Sequence, residues 1–187
     1  MSTLTVFRNF LKDVRVGAVV PTSSFAVKRL CGRINFDEAR VIVEYGPGTG
    51  VFSGCLLKRM SPDAKLILVE VNPEFCEILR SIDDPRVHVF HDSAENIREI
   101  LATCGESSAD CVISGIPFSI LGEGLRDKVL KSTRDALSSR GRLLLYQNST
   151  FMRKHLKRHF EMTSTDFVAL NILPVFIFEV QANGSVQ

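Results

Sequence analysis

Glycines stand at every second position, 46, 48 and 50, behind an acid that closes an apolar run: Val41-Ile-Val-Glu-Tyr-Gly-Pro-Gly-Thr-Gly50. Glycine tolerates positive φ and lets a backbone come close to a ligand. The stretch therefore reads as a buried strand that turns tightly into a helix. Several nucleotide-binding folds use such a turn. A phosphate-cradling loop would end in Gly-Lys-Ser/Thr, which is absent, while a dinucleotide fold stays open on these residues alone. Glu70 follows 20 residues after Gly50, and at a strand end its carboxylate can accept from both hydroxyls of a ribose. Asp92 can accept from an adenine amino group, with Ser93 and Ala94 supplying backbone around the ring. It can equally cap the helix that begins there.

Elements must bring these residues to one edge. The apolar runs predict strands at 41–45, 65–70, 86–91, 111–114 and 142–146, and two successive strands at 160–169 and 175–180. Helices are predicted over 51–60, 73–81, 94–102, 124–139 and 150–158, with a further one running through Leu30. Alternating strands and helices give an α/β protein with a doubly wound, seven-stranded, mostly parallel sheet. The closing pair lacks a crossover helix, so the last strand is expected to run antiparallel. Ligands of an open α/β sheet bind outside the carboxyl ends of its strands. Those ends are 44–50, Glu70, Asp92, 114–118 and 146–148.

The 187 residues suit one domain, 1–187, with ordinary hydrophobic (45%) and charged (24%) fractions for a globular protein. A net charge of +2 is too small to imply nucleic acid. Its distribution is uneven: over 1–33, Arg8, Lys12, Arg15, Lys28, Arg29 and Arg33 face one acid, Asp13. Within 4–16, Phe7, Phe10, Leu11 and Val14 share a helical face flanked by Arg8, Lys12 and Arg15. That suits a helix lying in a membrane interface, and equally one docked on its own domain. Segment 1–33 is expected to form a basic helical extension covering the active site. Five scattered cysteines without a Cys-x-x-Cys pair read as core residues of a reducing compartment. His155 and His159 flank no Glu, so no metal is expected. With no signal peptide or bilayer-length apolar run, the chain is expected in the cytoplasm, peripheral on the inner face of the membrane.

Over roughly 36–180 the pattern resembles the class I S-adenosylmethionine-dependent methyltransferases. The resemblance rests on Glu44-Tyr-Gly-Pro-Gly-Thr-Gly50, Glu70, Asp92, Ser114 to Phe118 and the paired closing strands. It implies S-adenosyl-L-methionine as cofactor. Gly46, Gly48 and Gly50 would wrap its methionine part, with Glu44 on a water or its amino group and Glu70 on the ribose. Asp92, Ser93 and Ala94 would meet the adenine, and Tyr45, Val71 and Ser114 complete the set. Gly17-Ala-Val-Val-Pro-Thr-Ser-Ser24, Val112-x-Ser-Gly-x-Pro117 and Asn171-x-x-Pro174 look like the bacterial phospholipid N-methyltransferases. In that family the basic N-terminal helix touches the bilayer, and Gly17, Ala18 and Thr22 would close over the cofactor. The resemblance implies an anionic membrane surface and an aminophospholipid, phosphatidylethanolamine, as partners. The ribosomal RNA adenine dimethylases are similar too, but their fourth strand ends Asn-x-Pro-Tyr/Phe, where this chain has Ser114-Gly-Ile-Pro-Phe118. The missing Asn, whose carbonyl would hold the target amine, makes RNA the second choice. The final strand, Val175-Phe-Ile-Phe-Glu-Val180, is more apolar than usual in the phospholipid branch, which leaves a small metabolite open.

Methyl transfer from a sulfonium is an in-line substitution that needs alignment and exclusion of water, not a covalent nucleophile. An ammonium acceptor must first lose a proton. Ser114, the carbonyls of Gly115 and Ile116, and Tyr146 are the catalytic candidates at the strand ends. Tyr146 reads equally well as a core aromatic. Pro117 and Phe118 are expected to wall the substrate. A non-catalytic S-adenosylmethionine-binding protein is the remaining alternative.

Overall fold

The computed structural model describes residues 24–168 and 175–182. The residues expected to touch the membrane, 7–15, and those expected to close over the cofactor, Gly17, Ala18 and Thr22, lie outside them, as does 171–174.

Helix α1 (Ser24–Cys31) precedes β1 (Val41–Tyr45), α2 (Val51–Leu57), β2 (Lys65–Glu70), α3 (Pro73–Arg80) and β3 (Val87–His91). A 3₁₀ turn (Ala94–Asn96) leads into α4 (Ile97–Thr103), followed by β4 (Ala109–Ser114), a second 3₁₀ turn (Phe118–Ile120) and α5 (Glu123–Ala136). The chain continues through β5 (Leu137–Gln147), α6 (Met152–His159), β6 (Phe160–Val168) and β7 (Val175–Ala182). The strands form one seven-stranded sheet in the order β3-β2-β1-β4-β5-β7-β6. The first five strands are parallel, while β7 runs antiparallel to both β5 and β6. This is the doubly wound sheet expected from the sequence.

Every residue of β1 is buried, as a strand covered on both faces requires. One hydrophobic layer packs Val43, Tyr45, Leu143 and Leu145 against α4, α5 and α6 through Ile97, Val129 and Met152. The opposite layer packs Ile42, Leu66 and Leu144 against α1, α2 and α3 through Leu30, Phe52 and Leu79. Cys31, Cys76 and Cys111 are buried and all five cysteines are free thiols, in keeping with their reading as core residues.

Two helices end about a turn earlier than their patterns predict. Helix α2 stops at Leu57 because the Arg86 guanidinium donates to the carbonyls of Leu57 (2.9 Å) and Met60 (3.0 Å), capping the chain as it leaves the helix. Arg86 is itself held by Asp84 at 2.6 Å. Helix α5 gives way to strand at Leu137, which pairs with Ala109 before the register shifts and Arg142 meets Cys111. A β-carbon at Gly141 would lie 2.7 Å from the Ala109 carbonyl, so this irregular crossing needs a glycine. Longer-range pairing has overridden a helical pattern here.

Candidate cofactor and acceptor site

The carboxyl ends of β1, β2, β3 and β4 converge. Gly46, Gly48 and Gly50 have φ of 64°, 57° and 79°, conformations that strain any residue with a β-carbon. The turn is closed by Gly50 N–H donating to the Pro47 carbonyl at 3.0 Å. It is tied to its neighbours as well, through Gly46 N–H to the Val69 carbonyl (2.9 Å) and Gly115 N–H to the Tyr45 carbonyl (3.0 Å).

Glu70 lies at the centre of this edge and is nearly fully buried. Its Oε1 accepts from the N–H groups of Val71 (2.8 Å) and Asn72 (2.9 Å), and its Oε2 from Gly48 N–H (3.1 Å). Burial raises its pKa, while these backbone hydrogen bonds and the nearby His91 oppose the rise. The carboxylate is thus fixed beside the glycine turn, with one lone pair, on Oε2, left for a ligand hydroxyl.

Glu44, on β1 beneath the turn, is 3% exposed and accepts from Ser53 Oγ at 2.6 Å. Burial pushes its carboxyl from 4.5 up to about 7, the Ser53 hydrogen bond partly opposes this, and the charge of Glu70 adds to the rise. Among the described residues no cation forms an ion pair with Glu44. A buried carboxylate without a countercharge, next to a backbone turn open to a ligand, fits the ammonium end of S-adenosylmethionine.

A narrow, mainly apolar slot runs from the ends of β2 and β3 (Val71, Ser93, Ala94) to the loop after β4 (Ile116, Leu121) and to α5 (Leu125, Val129). It is about 20 Å³, so an adenine would have to part its apolar walls to enter. The contributions of Leu121, Leu125 and Val129 were not foreseen. Leu125 and Val129 are one helical turn apart, which is also how core residues look in a sequence. Asp92 sits at the mouth of β3, where its Oδ1 accepts from Ser93 N–H (2.7 Å) and Asn96 Nδ2 (2.8 Å). It braces the turn without capping the helix, since Ser93 is the N-cap residue and no side chain caps it, and Asp92 Oδ2 accepts from none of the described residues.

The remaining residues separate. Tyr45 directs its ring into the core, where its hydroxyl meets Thr133 Oγ1 at 3.1 Å, so only its backbone borders the turn. Ser114 is fully buried and its Oγ accepts from Ile116 N–H at 3.4 Å, bracing the loop from within. Phe118 is also buried in the core, so the acceptor wall expected of it is not an open surface. The 3₁₀ turn that begins at Phe118 aims it inward. Tyr146, half-buried at the end of β5, lies against Gly115. Gln147 lies within the expected strand end 146–148 without having been singled out, and its buried Nε2 donates to the Ile116 carbonyl at 2.8 Å and fixes the loop beside Gly115. Among the described residues, no group of three His, Cys, Asp or Glu is placed to hold a metal, and no helix is long and apolar enough to cross a membrane.

Comparison with known proteins agrees with this geometry. The chain is 27% identical over 134 residues to an ornithine lipid N-methyltransferase of Singulisphaera acidiphila, spanning 71% of this chain and 70% of that relative. The precorrin-6y C5,15-methyltransferase of Geobacter metallireducens has a similar fold, with a TM-score of 0.71 at 15% identity, covering 92% of this chain and 95% of that one. The 1,6-didemethyltoxoflavin-N1-methyltransferase of Burkholderia thailandensis, a structure with bound S-adenosylhomocysteine, superposes with a TM-score of 0.66 at 14% identity, covering 96% and 85%. The family model described as ribosomal RNA adenine dimethylase matches residues 9–164. The chain belongs to that family, and it is a class I S-adenosylmethionine-dependent methyltransferase.

Proposed function

We propose that the enzyme methylates the amine of a lipid headgroup, with phosphatidylethanolamine as first choice, at an anionic membrane surface. The observation that carries this reading is Gly115. It stands where the RNA-directed members that the sequence resembles place the Asn whose carbonyl holds the base amine, and the Tyr146 phenol lies where that side chain would begin. The relative from Singulisphaera acidiphila, whose name specifies a lipid and transfer to nitrogen, supports it. RNA adenine is the second reading, favoured by the family description.

S-adenosylmethionine, when bound, supplies a sulfonium methyl open to in-line attack. Glu70 would hold the ribose and Glu44 the ammonium of the methionine part. Gln147 fixes the Ile116 carbonyl and Ser114 braces the same loop, so the acceptor nitrogen meets a preset backbone. The Tyr146 hydroxyl would orient the amine, whose proton would pass to solvent. Val71, Ala94 and Ile116 would exclude water around the adenine.

Expression in a bacterium that makes phosphatidylethanolamine but no methylated lipid tests the reading. Lipid mass spectrometry should show headgroups heavier by one or more methyl units. Unchanged lipids together with new dimethyladenosine in ribosomal RNA would reject it in favour of the second reading.

A further inference from the structure

We propose that the outer face of α6 is an electrostatic docking surface for anionic lipid headgroups, and that it sets the acceptor loop against the bilayer. The proposal deepens the lipid reading and rests on it for the choice of partner.

Helix α6 buries Met152, His155 and Leu156 and exposes Arg153, Lys154, Lys157 and Arg158. The helix contains no acid. Among the described residues, its one ion pair is at its end, His159 to Asp127 at 2.7 Å, and none of the four exposed cations is paired. Beside them opens a depression of about 630 Å³ lined by Thr150, Phe151, Arg153, Lys154 and Lys157. Like charge concentrated on one helix face draws counter-charge to it.

The depression is mechanically joined to the acceptor loop. The buried Arg126 guanidinium donates to the carbonyls of Phe118 (3.0 Å) and Leu121 (2.6 Å) and lies 4.7 Å over the ring of Phe151. A surface held at α6 therefore lies alongside the loop that follows Ser114. The apolar side of α6 belongs to the protein core, so contact is at headgroup level and sensitive to salt, without insertion into the acyl chains.

Lipid is favoured over RNA by the state of Phe151. Single-stranded nucleic acid is held by bases stacked on open aromatic faces. Here the ring already meets Arg126, Lys154 at 5.4 Å, and the His155 ring at a centroid distance of 4.9 Å.

The test is co-sedimentation of the full chain with vesicles of phosphatidylglycerol and phosphatidylcholine, and with phosphatidylcholine alone. Neither lipid carries a methylatable amine, so the readout is independent of methyl transfer. K154Q/K157Q should weaken partitioning to the anionic vesicles about thirtyfold, the equivalent of two cations at about 1 kcal/mol each near a charged surface. R153Q/R158Q, on the same face, should act similarly, with S-adenosylmethionine affinity as the check on folding. Undiminished sedimentation of both variants, equal binding of the wild type to both vesicles, or loss of RNA binding in place of lipid binding would overturn the proposal. Normal docking without methylated lipid would overturn the substrate reading alone.

Discussion

A side chain at position 115 and the phenol at position 146 exclude one another. A β-carbon built on Gly115 overlaps the Tyr146 hydroxyl oxygen and lies 3.0 Å from its Cζ, and the Gly46 carbonyl bounds the same space at 3.4 Å. The relationship follows from the parallel register that pairs Ser114 with Leu145 and so sets the next residues of each strand side by side. On the proposed reading the polar group beside the acceptor would come from β5, where an Asn in the RNA-directed motif would supply it from β4.

Gly115→Ala should destabilise the fold by about 1–3 kcal/mol through overpacking and lower methyl transfer at least about tenfold as the phenol is displaced. Thermal unfolding and a methyl-transfer assay check both parts. Adding Tyr146→Ser should restore stability but not activity. Recovery of both would show that the phenol only fills space.

Glu70 accepts three backbone N–H groups beside the glycine turn, which makes it the most constrained carboxylate of the edge. Glu70→Ala should weaken S-adenosylmethionine binding roughly a hundredfold, in line with about 1.5–3 kcal/mol for hydrogen bonds to a charged group. Calorimetric titration of the folded protein measures this. An unchanged Kd would remove Glu70 from the cofactor site.

Glu44 makes ligand-free stability depend on pH. Its carboxyl is raised from 4.5 to about 7 in the fold, so the folded state holds a proton that the unfolded state has released. Its contribution is fully present below about pH 4.5 and is lost as pH rises through about 7, amounting to roughly 3 kcal/mol. Glu44→Gln keeps an acceptor for Ser53 and should flatten that part of a denaturant-midpoint profile. A profile identical to the wild type would mean that Glu44 does not carry the dependence.

Glu179 on β7 is buried between two arginines, Arg33 at 2.8 Å and Arg142 at 2.5 Å. It ties the end of α1 to the antiparallel edge, with Arg33 also reaching Asp166 at 3.0 Å. Glu179→Ala should cost about 1.5 kcal/mol in urea unfolding, because Arg142 is exposed and turns to water while the partly buried Arg33 keeps Asp166. A cost below about 0.5 kcal/mol would class the cluster with ordinary surface pairs.

The glycine turn, Glu44 and Glu70 were legible because few residue types tolerate their backbone and burial. The sheet was legible because β-branched runs alternate with helical patterns. Other features depend on distant contacts and leave no local mark. Gln147 reaches a carbonyl in the loop after β4, and Arg126 joins that loop to Phe151. The start of β5 at Leu137 is set by pairing with Ala109, against a pattern that reads as helix. Phe118 looked like a wall and is core, because its inward direction is a property of the 3₁₀ turn and not of the residue.

The most direct test supplies labelled S-adenosylmethionine to the purified chain with anionic liposomes containing phosphatidylethanolamine, and in parallel with total RNA. The account predicts label in the lipid phase, lost with Glu70→Ala. Label confined to RNA would contradict it, leaving the fold and cofactor in place and the acceptor reassigned.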